Sequence, residues 1–511
     1  MEDPASTTVM NINDMPPEIL LQIFYFLESP SLSETRLHDQ PSGTLLDTEP
    51  ELRWLGPASL VCKTWRSLAL PKLFRHVLWR PQVSSLSAFT LNPIPLLRFL
   101  EDHGLERSVR TFTLVVDFAD EWADTHRRTP QIRSVDLEWF WDQIFSVVDP
   151  LRFTIIAPPT TLAAFLSRML FLDDAWSFDM PYHILSLSRT EREDQDPFSG
   201  RSQVDASLSG LGTSAAKSDG SEGSKSHLAA AAAVNAAATT GSSGNATSSS
   251  SSSCRPSRRR RAPPCPLFTA RRWTGLLLNE GSSTKVYRTY EFFLRRPPSM
   301  LGALLGCEEW PNDAPLVPPS VVDLSYVAIF PLSAQVRMLL EHLPRIDRLF
   351  VQLGPASASS RRLLEDPAEM RHVDPADLWM ERDSAYSYLI REISTAPVAL
   401  PPSPSPSPSP QATSAAAAAA AAAPARPPSA LTSGRDSRRN WALLRVFESG
   451  DDKEAMDLAC RSLVDRPLRG WRIEGDGRVF VKCGYDNENE AGAATAAQGG
   501  SGDATAALGV E

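Results

Sequence analysis

The sequence predicts an α/β protein: a small α-helical module at the amino terminus, then an irregular, repeat-like α/β body carrying long disordered insertions. Three observations lead there. Apolar residues within 10–80 recur at helical spacing in two blocks. From residue 85 onward, helical and strand periodicities alternate. Stretches rich in Ser, Pro and Ala, almost free of aromatic residues, break up that second region. The 12 Trp and 21 Phe of the 511 residues lie almost wholly outside these stretches, so a sizeable core is available.

Charge narrows the function. Lys plus Arg number 51 and Asp plus Glu 61, a net charge of −10. A globally acidic chain is a poor general binder of nucleic acid or membrane surfaces, and neither is expected as a partner. Met1-Glu2-Asp3-Pro4 is acidic and precedes no apolar core, so no signal peptide is expected. No run approaches the ~18 apolar residues of a membrane span. The expectation is a soluble intracellular chain, in the cytoplasm, the nucleus or both. The six cysteines (Cys62, Cys254, Cys265, Cys307, Cys460 and Cys483) are far apart and form no CxxC pair. They read as small buried hydrophobes or inert thiols, with no metal or cofactor expected.

Element by element, the first block opens at Asn13 or Asp14, either of which can cap a helix. Pro16 and Pro17 sit in the first turn, where a missing N–H costs nothing. Glu18 complements the positive helix end. Ile19, Leu20, Ile23, Phe24 and Leu27 then form a helical stripe, with Leu21 and Phe26 adding apolar surface on other sides. Residues 29–51 read as a loop insertion with turn chemistry. The second block runs through Leu52, Trp54, Leu55, Leu60, Val61, Trp65 and Leu68, with Pro71 as its expected stop. So small a module is marginal unless a partner covers its leftover apolar face.

These residues resemble a known family. Met15-Pro16-Pro17-Glu18-Ile19-Leu20, then Ile23-Phe24 and Leu27, then Leu60-Val61-Cys62-Lys63-Thr64-Trp65-Arg66-Ser67-Leu68-Ala69 look like an F-box. Met15 stands where Leu is usual, and the 29–51 insertion is longer than the usual link. The layout is similar to F-box proteins of filamentous fungi. The resemblance implies docking onto the Skp-family adaptor of a cullin–RING ubiquitin ligase, through Met15, Pro16, Ile19, Leu20, Ile23, Leu60, Val61, Cys62 and Trp65. An ordinary helical core is the alternative for these residues, and a buried structural thiol is the expectation for Cys62.

The body divides into 85–189, 267–395 and 441–484. Helices are expected over 95–106, 139–148, 162–172, 284–295, 333–342, 374–393 and 441–465, and strands over 110–118, 151–157, 183–188, 273–278, 320–329, 349–353, 471–473 and 479–481. Such alternation argues for a parallel sheet. Leu343 through Leu353 reads L-x-x-I-x-x-L-x-V-x-L, close to the strand half of a leucine-rich repeat, although unit lengths are irregular and the Asn/Cys position is missing. A leucine-rich-repeat-like arc is therefore expected, with another α/β architecture as its rival.

Residues 190–266, 396–440 and 485–511 read as disordered: poly-Ala, poly-Ser, a Ser-Pro repeat and a Gly/Ala-rich tail cannot offset ordering entropy. Arg258 to Arg261 is a basic run that reads as a nuclear-import signal or a solvated cluster. Gly220 to Ser226 has no strand before it and lacks a Gly-Lys, so it is not a phosphate loop. The eight His form no HExxH motif. Asn279 to Arg296 mixes aromatics and Arg in folded sequence, which fits either a binding surface or helix packing. No catalytic constellation survives, so a non-enzyme is expected. The functional expectation is a substrate-recognition subunit of a cullin–RING ligase that binds a protein substrate through its body; the alternative is a non-degradative F-box scaffold.

Overall fold

The computed structural model describes residues 12, 15–28, 31–47, 54–81, 91–116, 134–170, 182–192, 265–294, 299–309, 311–355, 358–395, 440–451, 471–474 and 477–483. The three segments expected to be disordered fall almost entirely outside these residues, as do Arg258 to Arg261 and the Gly220 to Ser226 motif.

The chain begins with helix α1 (Pro17–Leu27), a short turn of helix α2 (Leu32–Thr35), α3 (Leu55–Ala58) and α4 (Lys63–Leu73). Strand β1 (His76–Trp79) follows, then α5 (Ile94–Asp102), β2 (Thr111–Val115), α6 (Ser134–Val147), β3 (Arg152–Ala157), α7 (Pro159–Phe165) and β4 (His183–Ser188). Next come α8 (Pro266–Thr269), β5 (Gly275–Ser282), α9 (Leu301–Leu305), β6 (Asp323–Ile329), α10 (Ser333–His342) and β7 (Arg348–Gln352). The described chain ends with α11 (Ala358–Glu365), α12 (Pro375–Thr395), β8 (Val446–Ser449), β9 (Trp471–Glu474) and β10 (Val479–Lys482).

The strands form one sheet in the order β1-β2-β3-β4-β5-β6-β7-β8-β10-β9, so spatial order follows chain order until the final pair. The expected all-parallel sheet is corrected. Strand β4 runs antiparallel to both β3 and β5, and β10 runs antiparallel to β8 and β9; the other neighbours are parallel. Alternating periodicities do not encode direction, because an antiparallel neighbour needs no crossover helix.

Side-chain alternation divides the sheet into two faces. Phe112, Phe153, Leu185, Leu276, Leu324, Leu349 and Phe447 point to one face and share a core with Leu97, Trp141, Leu304, Leu339 and Leu389 of the helices. The opposite face carries Thr111, Thr154, Ser186 and Gln352, all buried. Part of the supposed loop insertion covers that face. Leu37, Leu45 and Leu46 pack on Val115, Ile156, Ile184 and Leu277. The Asn279 amide donates to the carbonyls of Leu37 and Asp39, both at 2.8 Å. Ser33 hydrogen-bonds Thr111 (2.9 Å), and His38 stacks on Phe350 with ring centroids 4.6 Å apart. Residues 31–47 are thus a strap across the sheet, not a solvated link.

Four further expectations are corrected. Residues 441–465 were expected to be one helix, but Val446–Ser449 is strand β8; Val446, Phe447 and Glu448 alternate correctly to pair with Arg348, Leu349 and Phe350. Residues 441–443 before it are helical, and residues 452–465 lie outside the described residues. Residues 284–295 form two 3-10 turns, Thr284–Arg288 and Phe292–Leu294, instead of an α-helix. Their buried anchors, Val286, Tyr287 and Phe292, do not fall on one helical stripe. Pro71 does not stop α4, which reaches Leu73 with the proline in its last turn. The N-cap of α1 is Pro16, with no side-chain cap bond.

Candidate functional site: an exposed apolar face on the amino-terminal helices

Helices α1, α3 and α4 close on a small core of Phe24, Leu55, Ala58 and Ala69, backed by Ile23, Leu27, Trp65 and Leu68. Phe24 and Trp65 meet edge to face, 5.4 Å between centroids. The module has no linker to the sheet. Leu70 of α4 belongs to the main core, Phe74 lies against Phe99 (5.1 Å), and Glu28 at the end of α1 pairs with Lys72 (3.2 Å) and Arg75 (3.4 Å).

The small core leaves much apolar surface outside. Ile19 is 45% exposed, Leu60 77% and Val61 56%. Pro16 and Cys62 are also exposed, and Met15, Ile23 and Trp65 are half-buried. Leu60, Val61 and Cys62 form the turn between α3 and α4, held by Leu60 N–H to the Pro57 carbonyl and Val61 N–H to the Ala58 carbonyl. Cys62 Sγ accepts the Trp65 N–H at 3.5 Å and so caps α4. This corrects its expected role as a buried thiol: the sulfur is a solvent-facing cap.

Eight of the nine sequence-derived contact residues therefore reach the surface at least in part. Leu20 does not. At 1% exposed it belongs to the interior, because it lies one residue beyond Ile19 and is rotated toward the packed side. Sequence reasoning also left out exposed neighbours. Tyr25, Phe26 and Trp54 are all more than half exposed. Phe26 follows Ile19 and Ile23 at helical spacing, a signal available from the sequence.

The other chemistry-bearing groups serve the fold. Glu280 is buried, and its Oε1 accepts from the Ser299 hydroxyl (2.8 Å) and the N–H groups of Met300 (2.5 Å) and Leu301 (3.2 Å), capping α9 from β5. Tyr326 donates to its Oε2 at 2.9 Å. Burial pushes the Glu280 carboxyl up to about 7 against these hydrogen bonds. Burial raises the Cys265 and Cys307 thiols to about 11, away from thiolate chemistry. In the 279–296 segment, Asn279 and Tyr287 are buried, whereas Tyr290 (92%), Phe293 (62%) and Leu294 (65%) face solvent. Among the described residues no cluster of three His, Cys, Asp or Glu could hold a metal, and no helix is long and apolar enough to cross a membrane.

Residues 12–80 match the family model described as F-box-like. The matched span runs from before α1 through β1 and contains the whole strap. No curated protein and no solved structure matches the chain. The chain carries an F-box-like domain followed by a large mixed sheet with helices.

Proposed function

We propose that this chain is the substrate-recognition subunit of an SCF-type cullin–RING ubiquitin ligase. Its F-box-like module docks onto a Skp-family adaptor, and its α/β body holds a protein substrate. The observation that carries this reading is the exposure of Ile19, Leu60 and Val61, from two sequence-distant segments, on the module that matches the F-box-like family. A solvated helical module gains nothing from such exposure, and on so small a module exposed apolar surface is what a partner would cover. Covering each of these side chains is worth roughly 1.5–3 kcal/mol before association costs.

The body's strand order supports a leucine-rich-repeat-like arc, since each of β2 to β8 lies beside its predecessor, with β4 as its one reversed strand. In this reading the chain is not a catalyst. It brings substrate lysines near the ligase's loaded enzyme and so raises their effective concentration. An intracellular location follows from the same reading.

The test is a pull-down of a purified Skp-family adaptor by the full chain and by an Ile19→Ser, Leu60→Ser, Val61→Ser variant. The wild type is expected to retain the adaptor and the variant to lose it, with unchanged thermal unfolding. Equal retention by both would overturn the assignment.

A further inference from the structure

The amino-terminal module is attached to the body at two places, and the space between them is poorly filled. The first attachment is the direct passage from α4 into β1. The second is the strap. Between the two lies a cleft of about 470 Å³, with walls from the module (Leu27, Leu55, Leu73), the strap (Leu32, Leu46) and β1 (Val77). On the α4 side Leu70 and Phe74 hold the module to the main core, whereas the cleft leaves the opposite side without the close packing that resists rocking.

The strap is built to resist that motion. It leaves the module between α1 and α3 and is anchored across the sheet. Arg80 grips Asp47 and the Gly43 carbonyl beside β1. Leu37 and Asn279 fix its middle to β5, and His38 reaches Phe350 of β7. Gly281 sits so close to Gln40 and Pro41 that an added Cβ would crowd them. These anchors come from strands widely separated in the sheet, so they oppose rotation in more than one direction. The Asn279 side chain is fully buried, and water does not compete for its bond to the Leu37 carbonyl.

We infer that the 31–47 strap is an orientation brace: it locks the F-box-like module and the sheet into one rigid body, and so fixes the distance and angle between whatever each of them binds. This goes beyond the adaptor assignment and holds whichever protein covers the module's apolar face. It also makes the face of β2 to β5 opposite the main core an internal docking surface already occupied by the chain itself.

The test measures distance in the full chain. Cys62 on the module and Cys483 after β10 are both exposed and accept spin labels once Cys254, Cys307 and Cys460 are replaced by Ser. The expected result is a single narrow distance distribution. Replacing residues 31–47 by an equally long Gly-Ser segment is expected to broaden it severalfold, while the sheet still unfolds cooperatively. A milder Leu37→Ser, Asn279→Ala variant is expected to broaden it less and to admit protease cleavage within 31–47. If the Gly-Ser chain does not fold, the milder variant decides. An unchanged narrow distribution in a folded variant overturns the brace, and loss of adaptor binding without broadening assigns the strap to the adaptor interface instead.

Discussion

Arg382 donates its Nε to Asp451 Oδ2 across 2.8 Å, with the two side chains 1% and 0% exposed. The other carboxylate oxygen, Oδ1, receives the N–H groups of Leu353 (2.8 Å) and Gly354 (2.9 Å). One carboxylate, two residues past β8, thus ties α12 to the chain just after β7. The Arg382 guanidinium also lies over the Tyr386 ring, 4.8 Å from its centroid. Removing one partner of such a buried pair typically costs about 3–5 kcal/mol, and without Asp451 the guanidinium would keep its second ion pair, to the half-exposed Asp383 at 2.7 Å. Asp451→Ala is therefore expected to lose about 3–5 kcal/mol in urea unfolding. A loss below about 1 kcal/mol would mean that the pair is solvated in practice.

Leu20 and Ile19 adjoin in sequence and differ in role. Leu20→Ala should open a cavity inside the module and cost about 2–5 kcal/mol. Ile19→Ser should leave unfolding almost unchanged and act only on adaptor capture. Chemical denaturation and pull-down, run on both variants, separate the two effects.

Gly306 ends α9 in the left-handed region, φ +71°. A Cβ there would collide with the backbone at Ala314 and Pro315. Left-handed backbone costs a residue with a side chain about 1–2 kcal/mol before any collision. Gly306→Ala is expected to exceed that figure, read as a fall in melting temperature. A neutral result would show that the 314–315 segment yields freely.

Glu280 makes stability fall at higher pH. Its folded value, raised by burial to about 7, lies above the ordinary 4.5. Its contribution is complete below pH 4.5 and is lost as pH rises through 7, a change of roughly 3 kcal/mol. Glu280→Gln should flatten that limb of a stability–pH curve. A limb of unchanged slope in the variant rules Glu280 out as its source.

His183 acts in the opposite direction. It is fully buried, neither ring nitrogen has a partner among the described residues, and burial lowers it from 6.5 to about 3. The neutral ring is favoured in the fold, so its contribution is complete above pH 6.5 and is lost as pH falls toward 3. His183→Leu should make the chain more resistant to acid, measured as the midpoint of acid unfolding. A midpoint no lower than that of the wild type refutes this.

Much of the architecture could be read from periodicity. Helix α10 spans Ser333–His342 as its apolar spacing predicts, and β4 spans His183–Ser188. Elements that depend on distant partners could not. Val446–Ser449 becomes a strand because β7 offers it a ladder, and His76–Trp79 because β2 does. The strap was hidden for the same reason. Its leucines are spaced irregularly, and what buries them is the sheet, hundreds of residues away for Asn279. At the candidate site, motif order identified the right helices and helical spacing offered Phe26, but the inward rotation of Leu20 needed the packed neighbours.

In the β4–β5 ladder, Ser188 stands directly opposite Gly275. To the sheet, residues 189 to 274 join two neighbouring antiparallel strands, and their far end, with α8 and Trp273, is packed into the main core. Doubling the length of such a connection costs only about 0.6 kcal/mol. Length between residues 192 and 265 can therefore drift almost without penalty to the sheet, and a cut there would leave two polypeptides clasped by the β4–β5 ladder, a shared core and the strap. At that point the covalent continuity of the chain and the cohesion of its fold are separate properties.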